Sequence, residues 1–172
     1  MDSQGPQEME INTVRSSRRL RTVSARLVRN TLLIRAPLAI SQERLDKIIN
    51  KFKLRFEKKR LKSCLDRNDN LIERAQRINE EYFANRLKVN SIKYVTNQNS
   101  RFGCCNYRCA NIRISHRIGL MPEWVRDYVI LHEMAHLIEP NHSKAFWDII
   151  SRYKLAERAK GYLMGVGFNN KV

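Results

Sequence analysis

The stretch His132-Glu133-Met134-Ala135-His136 constrains this chain more than any other. Two histidines four residues apart lie on the same face of an α-helix, with Cβ atoms about 5–6 Å apart, so both imidazoles can reach one metal ion. Glu133 lies one step further round the same helix, where its carboxylate can act on a metal-bound water without ligating the metal. The spacing therefore predicts a helix with a metal site on one face.

A third histidine follows within the same short window. The segment Glu139-Pro140-Asn141 breaks the helix, and the chain can then bring His142 back over the first two histidines. A catalytic zinc has three protein ligands and an open fourth position. The metzincin pattern has the same spacing but requires glycine at the first position of this segment, which disfavours that family. We therefore predict a zinc site with one catalytic carboxylate, made of His132, His136, His142 and Glu133.

Length and composition predict one domain with short tails. The chain has 172 residues, of which 42% are hydrophobic, and this is enough for a single core. We assign residues 13–166 to the domain, residues 1–12 to a disordered tail and residues 167–172 to a second tail. No apolar run approaches 18 residues, and the amino terminus is polar and acidic, so we expect a soluble protein that is not secreted and has no membrane partner.

Cysteine usage bears on the cellular compartment. The four cysteines are too few and too clustered for a disulfide framework, so a reducing, cytoplasmic location is expected. Three of them, Cys104, Cys105 and Cys109, follow one another closely. Their spacing is a poor chelate for a structural zinc, which prefers separated pairs, and a role as small buried apolar residues fits better.

The charge of the chain is strongly positive. Lys and Arg number 33 against 17 Asp and Glu, a net charge of +16. Such a field attracts polyanions, and nucleic acid, nucleotides, other phosphorylated small molecules and acidic proteins are all candidate partners. A generally basic proteome would produce the same excess, so the charge alone selects none of them.

Basic residues also gather in the first part of the chain. The segment from Val14 to Arg21 is rich in arginine, and residues 20–36 alternate around Arg29-Asn30-Thr31 in a way that predicts a β-hairpin with one face on the core. A phosphate-binding strip and a merely solvated sheet face explain these arginines equally well. The residues concerned are Arg18, Arg19, Arg21 and Arg26.

The rest of the chain predicts an α+β domain. Helical periodicity predicts helices over about 42–61 and 71–86, and strands are predicted at 91–95 and 111–115 with a loop between them. Pro122 suits the first turn of the helix that carries the histidines. Ser143 can cap a final amphipathic helix, whose apolar face would pack on the metal helix and hold His142 in place. The apolar residues of that face are Phe146, Ile149, Ile150 and Tyr153.

Several motifs together resemble one family. Residues 100–105, Ser-Arg-Phe-Gly-Cys-Cys, resemble the Ser-Arg-Trp-Gly-x-Cys element of the YgjP-like metallopeptidases, which are relatives of the SprT-like and Wss1-like zinc proteases. Further matching motifs follow in the family's order, and the resemblance covers about residues 14–163. These motifs are residues 111–114, 121–129, 132–136 and 141–147, with the basic residues 15–19 and Arg35-Ala36-Pro37 before them. Phe102 replaces the usual tryptophan, and Cys104 a small polar residue.

The resemblance implies a fold and a chemistry. It implies a zincin-like single domain, with a small antiparallel-containing sheet and an active-site helix. Zinc would be held by the three histidines, and Glu133 would be the catalytic acid and base. It also implies that Ile112-Arg113-Ile114 is the edge strand that receives an extended substrate.

We therefore predict a zinc-dependent metallohydrolase, most simply a metallopeptidase acting on proteins or peptides, with a basic surface that could bring it near nucleic acid. Two other functions remain open. One is a zinc-dependent phosphohydrolase acting on nucleotides, and the other is a nucleic-acid-binding protein with a structural metal. Donors for the oxyanion are suggested by chemical type only, and a structural role suits each of them better. They are Arg101, His116 and Tyr153.

Overall fold

Two three-stranded sheets and five α-helices make up residues 9–166, the part of the chain that this computed structural model describes. The fold is thus mixed α/β. The strands are β1 (Glu10–Ser16), β2 (Ser24–Val28), β3 (Thr31–Pro37), β4 (Ser91–Val95), β5 (Gly103–Asn106) and β6 (Asn111–Ser115). The helices are α1 (Gln42–Asn68), α2 (Leu71–Phe83), α3 (Glu123–Ala135), α4 (Lys144–Ile150) and α5 (Ala156–Gly165).

The described chain divides into two compact units at Arg60. The predicted extent of the domain, residues 13–166, stays a prediction. In the first unit the strand order is β1-β3-β2, with β1 parallel and β2 antiparallel to β3. Alternate residues of β3 are buried with the apolar residues of α1, so one face of the sheet forms a small core. The buried members of this core are Met9, Leu32, Ile34, Ala36, Leu45 and Ile49.

The hairpin predicted over residues 20–36 is confirmed as β2 and β3. The predicted tail over residues 1–12 is wrong at its end, because β1 begins at Glu10; the remainder of that prediction, and the tail over 167–172, lie outside the described residues. β1 was missed because nearly all its side chains are exposed, and a strand without a buried face lacks the alternation that predicts strands.

The second unit is built on a sheet with the order β4-β6-β5, in which β4 is parallel and β5 antiparallel to β6. Helix α3 belongs to the core of this unit. Its residues from Tyr128 to Ala135 are all buried, as its apolar sequence predicts. His132 therefore lies in a buried stretch of α3, and the half-buried His136 follows directly after the helix.

Two features of this sheet correct the sequence prediction. Residues 103–106 form a strand where a loop was expected, and this strand occupies the edge of the sheet. Ile112-Arg113-Ile114, predicted as the substrate-binding edge, instead lies in the central strand β6, whose backbone is paired on both sides. The free edge next to α3 therefore belongs to β5.

Helix boundaries also differ. Helix α1 continues to Asn68 rather than ending near 61, α2 ends at Phe83 rather than Arg86, and the helix after Ser143 ends at Ile150, with α5 following it. Ala84 and Asn85 both have positive φ, and this left-handed backbone ends α2 earlier than its apolar pattern predicts.

An ionic cluster holds the start of α3. Asp69, between α1 and α2, accepts hydrogen bonds from the guanidinium groups of Arg74 and Arg126 at 3.2 and 2.9 Å and from the Tyr94 hydroxyl. Arg74 also donates to Asp127 at 2.6 Å. The cluster thereby joins α2, β4 and the first turns of α3.

None of the helices within residues 9–166 is long and apolar enough to cross a lipid bilayer.

Candidate metal centre

The last turn of α3 carries two of the three predicted ligands. His132 lies within α3, and His136 is the residue that caps its end. Beyond it the chain leaves the helix in a tight turn, in which the backbone N–H groups of Leu137, Ile138 and Glu139 donate to Met134 and Ala135 carbonyls. This turn, which ends at Pro140, brings His142 back to the other two, as the sequence predicts.

The three imidazoles converge. One ring nitrogen from each of His132, His136 and His142 lies within 4.8 Å of the others, and the Nε2 atoms of His132 and His142 approach to 3.2 Å. His132 is buried, His136 is half-buried and His142 is exposed. The triad is therefore closed on the protein side and open on one side to solvent, as a site with a free coordination position requires.

Aromatic rings wall the triad. The Phe146 ring is stacked on His136 at 4.6 Å and meets His132 and His142 edge-on at 4.8 and 4.7 Å. Trp147 is stacked on His142 at 5.7 Å. Both rings belong to α4, whose first turn is capped by the Ser143 hydroxyl, the acceptor for the Phe146 N–H. Helix α4 thus restricts the rotation of each imidazole.

The protonation of the histidines suits metal binding. Burial and the charges of the other two histidines lower the pKa of His132 to about 3, and burial lowers the pKa of His136 and His142. All three are neutral at pH 7, which is the form that binds a metal. His136 Nδ1 lies 3.1 Å from the Glu139 carbonyl; a proton there leaves Nε2 free as the ligand atom.

Glu133 is buried against the edge strand β5, with only 6% of its surface exposed. A Cβ atom added at Gly103 would come within 2.5 Å of Glu133 Oε1 and 2.7 Å of Glu133 Cγ. Only glycine leaves room for the side chain in this position. Burial raises the pKa of Glu133 to about 8, an effect that the nearby charge of Arg101 opposes, so the carboxyl titrates close to neutral pH, where proton exchange is easiest.

The triad and Glu133 open into one cavity of about 290 Å³. One side is formed by the end of α3 and the segment after it, and the other by residues 100–105 and Tyr107. Its lining includes the Arg101 guanidinium, the Glu133 carboxyl and the Cys104 and Cys105 thiols. Burial raises the pKa of Cys105 to about 12, so this thiol stays protonated and acts as a small apolar group, as the sequence suggests. Cys109, by contrast, is exposed.

The residues present fit a metal ion. Three neutral imidazoles, from the end of α3 and the segment after it, provide nitrogen donors. The buried His132 Nδ1 atom has no hydrogen-bond partner among the described residues, so no protein group occupies that nitrogen. Imidazole donors favour zinc and neighbouring transition metals over magnesium or calcium, which prefer oxygen. Within residues 9–166, no other cluster of histidine, cysteine or acidic side chains could hold an ion.

The three predicted oxyanion donors differ in whether they line the cavity. Arg101 lines the cavity, whereas His116 and Tyr153 do not. His116 Nδ1 lies 3.3 Å from the Val95 carbonyl, and the Tyr153 hydroxyl donates to the Trp124 carbonyl at 2.9 Å. These contacts give both residues structural roles.

Sequence reasoning missed Tyr128, which lies one helical turn before His132 and lines the cavity. Its hydroxyl is buried without a hydrogen-bond partner in the described part of the chain, and burial raises its pKa, so it keeps its proton and can donate. The sequence shows that Tyr128 and His132 are four residues apart on one helix. It does not show that the Tyr128 hydroxyl has no hydrogen-bond partner within residues 9–166, because that depends on how the chain packs.

The chain is similar to a known protein family and to a solved structure. A family model described as "YgjP-like, metallopeptidase domain" matches residues 40–156. Among solved structures, the crystal structure of the metallopeptidase zymogen of Pyrococcus abyssi abylysin aligns with 58% of this chain and 97% of its own, at 17% sequence identity and a TM-score of 0.49. No curated protein sequence matched the chain significantly.

Proposed function

Because the family match covers more than half of the chain, this protein belongs to the YgjP-like metallopeptidase family, and we propose that it is a zinc-dependent peptidase. Membership confirms the resemblance drawn from the sequence. It supports hydrolase activity and implies a metal ion. The identity of the ion, the roles of individual residues and the substrate are our proposal.

One observation carries the proposal: three neutral imidazoles converge beside a buried carboxyl that does not belong to the triad. A purely structural zinc site is usually closed by four protein ligands. Here three donors face a cavity, which leaves a position for water or substrate. His132, His136 and His142 would hold the ion, and Glu133 would be the general base.

Each group at the site would have a distinct role in hydrolysis. When bound, the ion would lower the pKa of a water to about 7 and polarise the carbonyl of the scissile bond. Glu133 would take a proton from the attacking water and deliver it to the leaving amine. Arg101 and Tyr128, the cavity-lining donors, are our candidates for stabilising the developing negative charge.

The substrate would lie along β5. This strand has one paired edge, towards β6, and its other edge is next to the cavity. An extended peptide can add to such an edge through backbone hydrogen bonds, which would bring a peptide carbonyl towards the triad without a need for a particular side chain. This supports a polypeptide substrate over a nucleotide.

The decisive experiment compares wild type with Glu133→Gln on two substrate panels, unstructured proteins and nucleoside triphosphates. We expect zinc-dependent peptide cleavage by wild type, a loss of at least a hundredfold in kcat for Glu133→Gln, and equal zinc content by elemental analysis, because this side chain is not a ligand. Glu80→Gln, an exposed acid on α2, is the matched control.

Two results would replace the proposal. Release of phosphate or pyrophosphate, lost in Glu133→Gln and retained in Glu80→Gln, would make the protein a phosphohydrolase. Bound zinc without turnover of either panel would assign the metal a structural role.

A further inference from the structure

The first sheet carries an unusual set of charges. The seven basic residues between Met9 and Ser41 are all arginines, and the segment contains a single acid, Glu10. The family match begins at residue 40, so these residues lie outside it. The basic residues are Arg15, Arg18, Arg19, Arg21, Arg26, Arg29 and Arg35.

Strand register brings two of these arginines to the same face. Arg26 pairs with Leu33, and Arg35 lies two residues further along β3, so both side chains point away from the buried Leu32 and Ile34. On neighbouring antiparallel strands such diagonal residues have Cβ atoms about 7 Å apart. The acid of this segment, Glu10, pairs with Thr31 at the opposite end of β3 and accepts its hydroxyl hydrogen bond.

Three more arginines lie at the Arg35 end of the sheet. Strand β1 ends at Ser16, β2 begins at Ser24, and β3 ends at Pro37, so the loop between β1 and β2 lies beside the end of β3. The Leu38 N–H donates to the Ser16 carbonyl at 3.2 Å and ties the two together. That loop carries Arg18, Arg19 and Arg21.

Apart from that of Arg15, the side chains of these arginines are not bonded to other described residues. The guanidinium of Arg15 donates to the carbonyls of Leu38 and Ile40 and to Gln42, and so serves the fold. Like that of Arg29 in the hairpin turn, the side chains of five others form no ion pair or hydrogen bond within residues 9–166, and all five except the half-buried Arg19 are exposed. We call them the arginine face: Arg18, Arg19, Arg21, Arg26 and Arg35.

The chemistry of this face matches a phosphodiester backbone. A guanidinium is planar, always charged, and binds phosphate oxygens through two parallel hydrogen bonds, which a lysine cannot do. No aromatic residue occurs between Met9 and Lys51, so unpaired bases have no ring to stack on. We propose that the arginine face binds double-stranded nucleic acid through its phosphates, without reading sequence. This proposal is independent of the hydrolytic activity.

The test uses the full-length protein and a fluorescent 20-base-pair duplex, as DNA and as RNA, with anisotropy measured at several salt concentrations. The variant Arg26→Ala/Arg35→Ala is compared with Arg152→Ala/Lys154→Ala, which removes the same net charge from two exposed residues outside the first unit. We expect the first to weaken binding about tenfold or more at low salt and to reduce the slope of log K against log salt by about 1.8, since each lost phosphate contact contributes about 0.9.

We expect the control to change binding less than twofold. Arg26→Lys/Arg35→Lys keeps the charge and the fold and should bind more weakly than wild type, because the paired hydrogen bonds are lost. Equal weakening by the two alanine variants would overturn the proposal. So would stronger binding to anionic lipid vesicles or to polyglutamate than to either duplex at the same salt.

Discussion

At the scale of single residues, the position of Glu133 depends on the lack of a side chain at Gly103. Gly103 lets the backbone of β5 approach α3 so closely that a methyl group would overlap the Glu133 carboxylate. The backbone angles of Gly103 are ordinary for a strand, so space and not conformational freedom requires glycine here. We therefore regard Gly103 as a positioning residue for Glu133.

Gly103→Ala should displace Glu133 and lower kcat about tenfold or more, with KM and zinc content nearly unchanged, because the histidines are not touched. In the metal-free protein it should cost about 1–3 kcal/mol of unfolding free energy in urea, from overpacking. Introduced into Glu133→Ala, the same change should cost far less, since the overlapping atoms are gone. The expected coupling is about 1–2 kcal/mol.

Gly161→Ala is the matched control, because a Cβ at Gly161 in α5 has nothing within 4 Å. It should be neutral or slightly stabilising, as alanine favours a helix. Additivity of Gly103→Ala and Glu133→Ala within about 0.5 kcal/mol would show that the two residues do not interact.

The sequence predicted the residues that a local pattern defines. The helical spacing of His132 and His136 and the break before His142 are local, and the structure brings all three rings together. Gly103 and Tyr128 both lie in motifs that the sequence shows. Their roles come from tertiary contacts that these motifs do not reveal, the close approach of β5 to Glu133 and a buried hydroxyl without a partner among the described residues.

At the scale of elements, the start of α3 is held by the ionic cluster around Asp69. The Asp69 side chain is 8% exposed and accepts from Arg74, Arg126 and Tyr94. Burial alone would raise the pKa of Asp69, but the Tyr94 hydroxyl and the charges of Arg74 and Arg126 outweigh it and hold the pKa below its usual value. The carboxylate therefore stabilises the fold only while it is ionised.

Asp69→Asn should cost about 3 kcal/mol of unfolding free energy at pH 7, because it leaves two half-buried guanidinium groups short of a charged acceptor. Since the folded pKa lies below the unfolded value of about 3.9, this stabilisation is complete above about pH 4 and is lost as the pH falls through the folded pKa. Urea unfolding from pH 7 down to pH 2.5 should show wild type and variant converging at the acid end.

Asp66→Asn serves as the control at this scale. Asp66 pairs with Lys62 on the surface of α1 and is 41% exposed, so its loss should cost no more than about 1 kcal/mol. A constant difference between wild type and Asp69→Asn from pH 7 to pH 2.5 would contradict the assigned role of the Asp69 charge.

Element prediction failed where strands lack a buried alternating face. The strand β5 has only four residues, Gly-Cys-Cys-Asn, and β1 is exposed along almost its whole length. The hairpin of β2 and β3 was predictable because its turn and alternation are local. Which strand lies at an edge depends on pairing between distant segments, and so the central position of β6 could not be read from Ile112-Arg113-Ile114.

At the scale of the whole molecule, both sheets share one connectivity: the first strand pairs in parallel with the third, and the second pairs antiparallel on the third strand's other side. Parallel neighbours cannot be joined by a tight turn, and in each sheet the long connection between the two parallel strands contains the antiparallel strand. Only the second unit contains the histidine triad. The first unit contributes arginines and no candidate ligand among its described residues, which suggests that hydrolysis and polyanion binding are separable in this chain.

The metal should stabilise the whole chain through the second unit. A ligand that binds only the folded state stabilises it by about 2.7 kcal/mol at a hundredfold excess over Kd, and for a chain of this size that corresponds to roughly 5–10 °C in Tm. We therefore expect a chelator to lower the Tm of the zinc-loaded protein by this amount in calorimetry, and hydrogen exchange to rise most in α3 and α4, which carry or hold the triad. His142→Ala, a change at an exposed position, should melt near the chelated wild type and respond little to chelator. Asn141→Ala, its exposed neighbour, should keep the full response. If His142→Ala lost as much Tm on chelation as wild type does, the ion would not be held by this triad, and the assignment of the metal centre would be wrong.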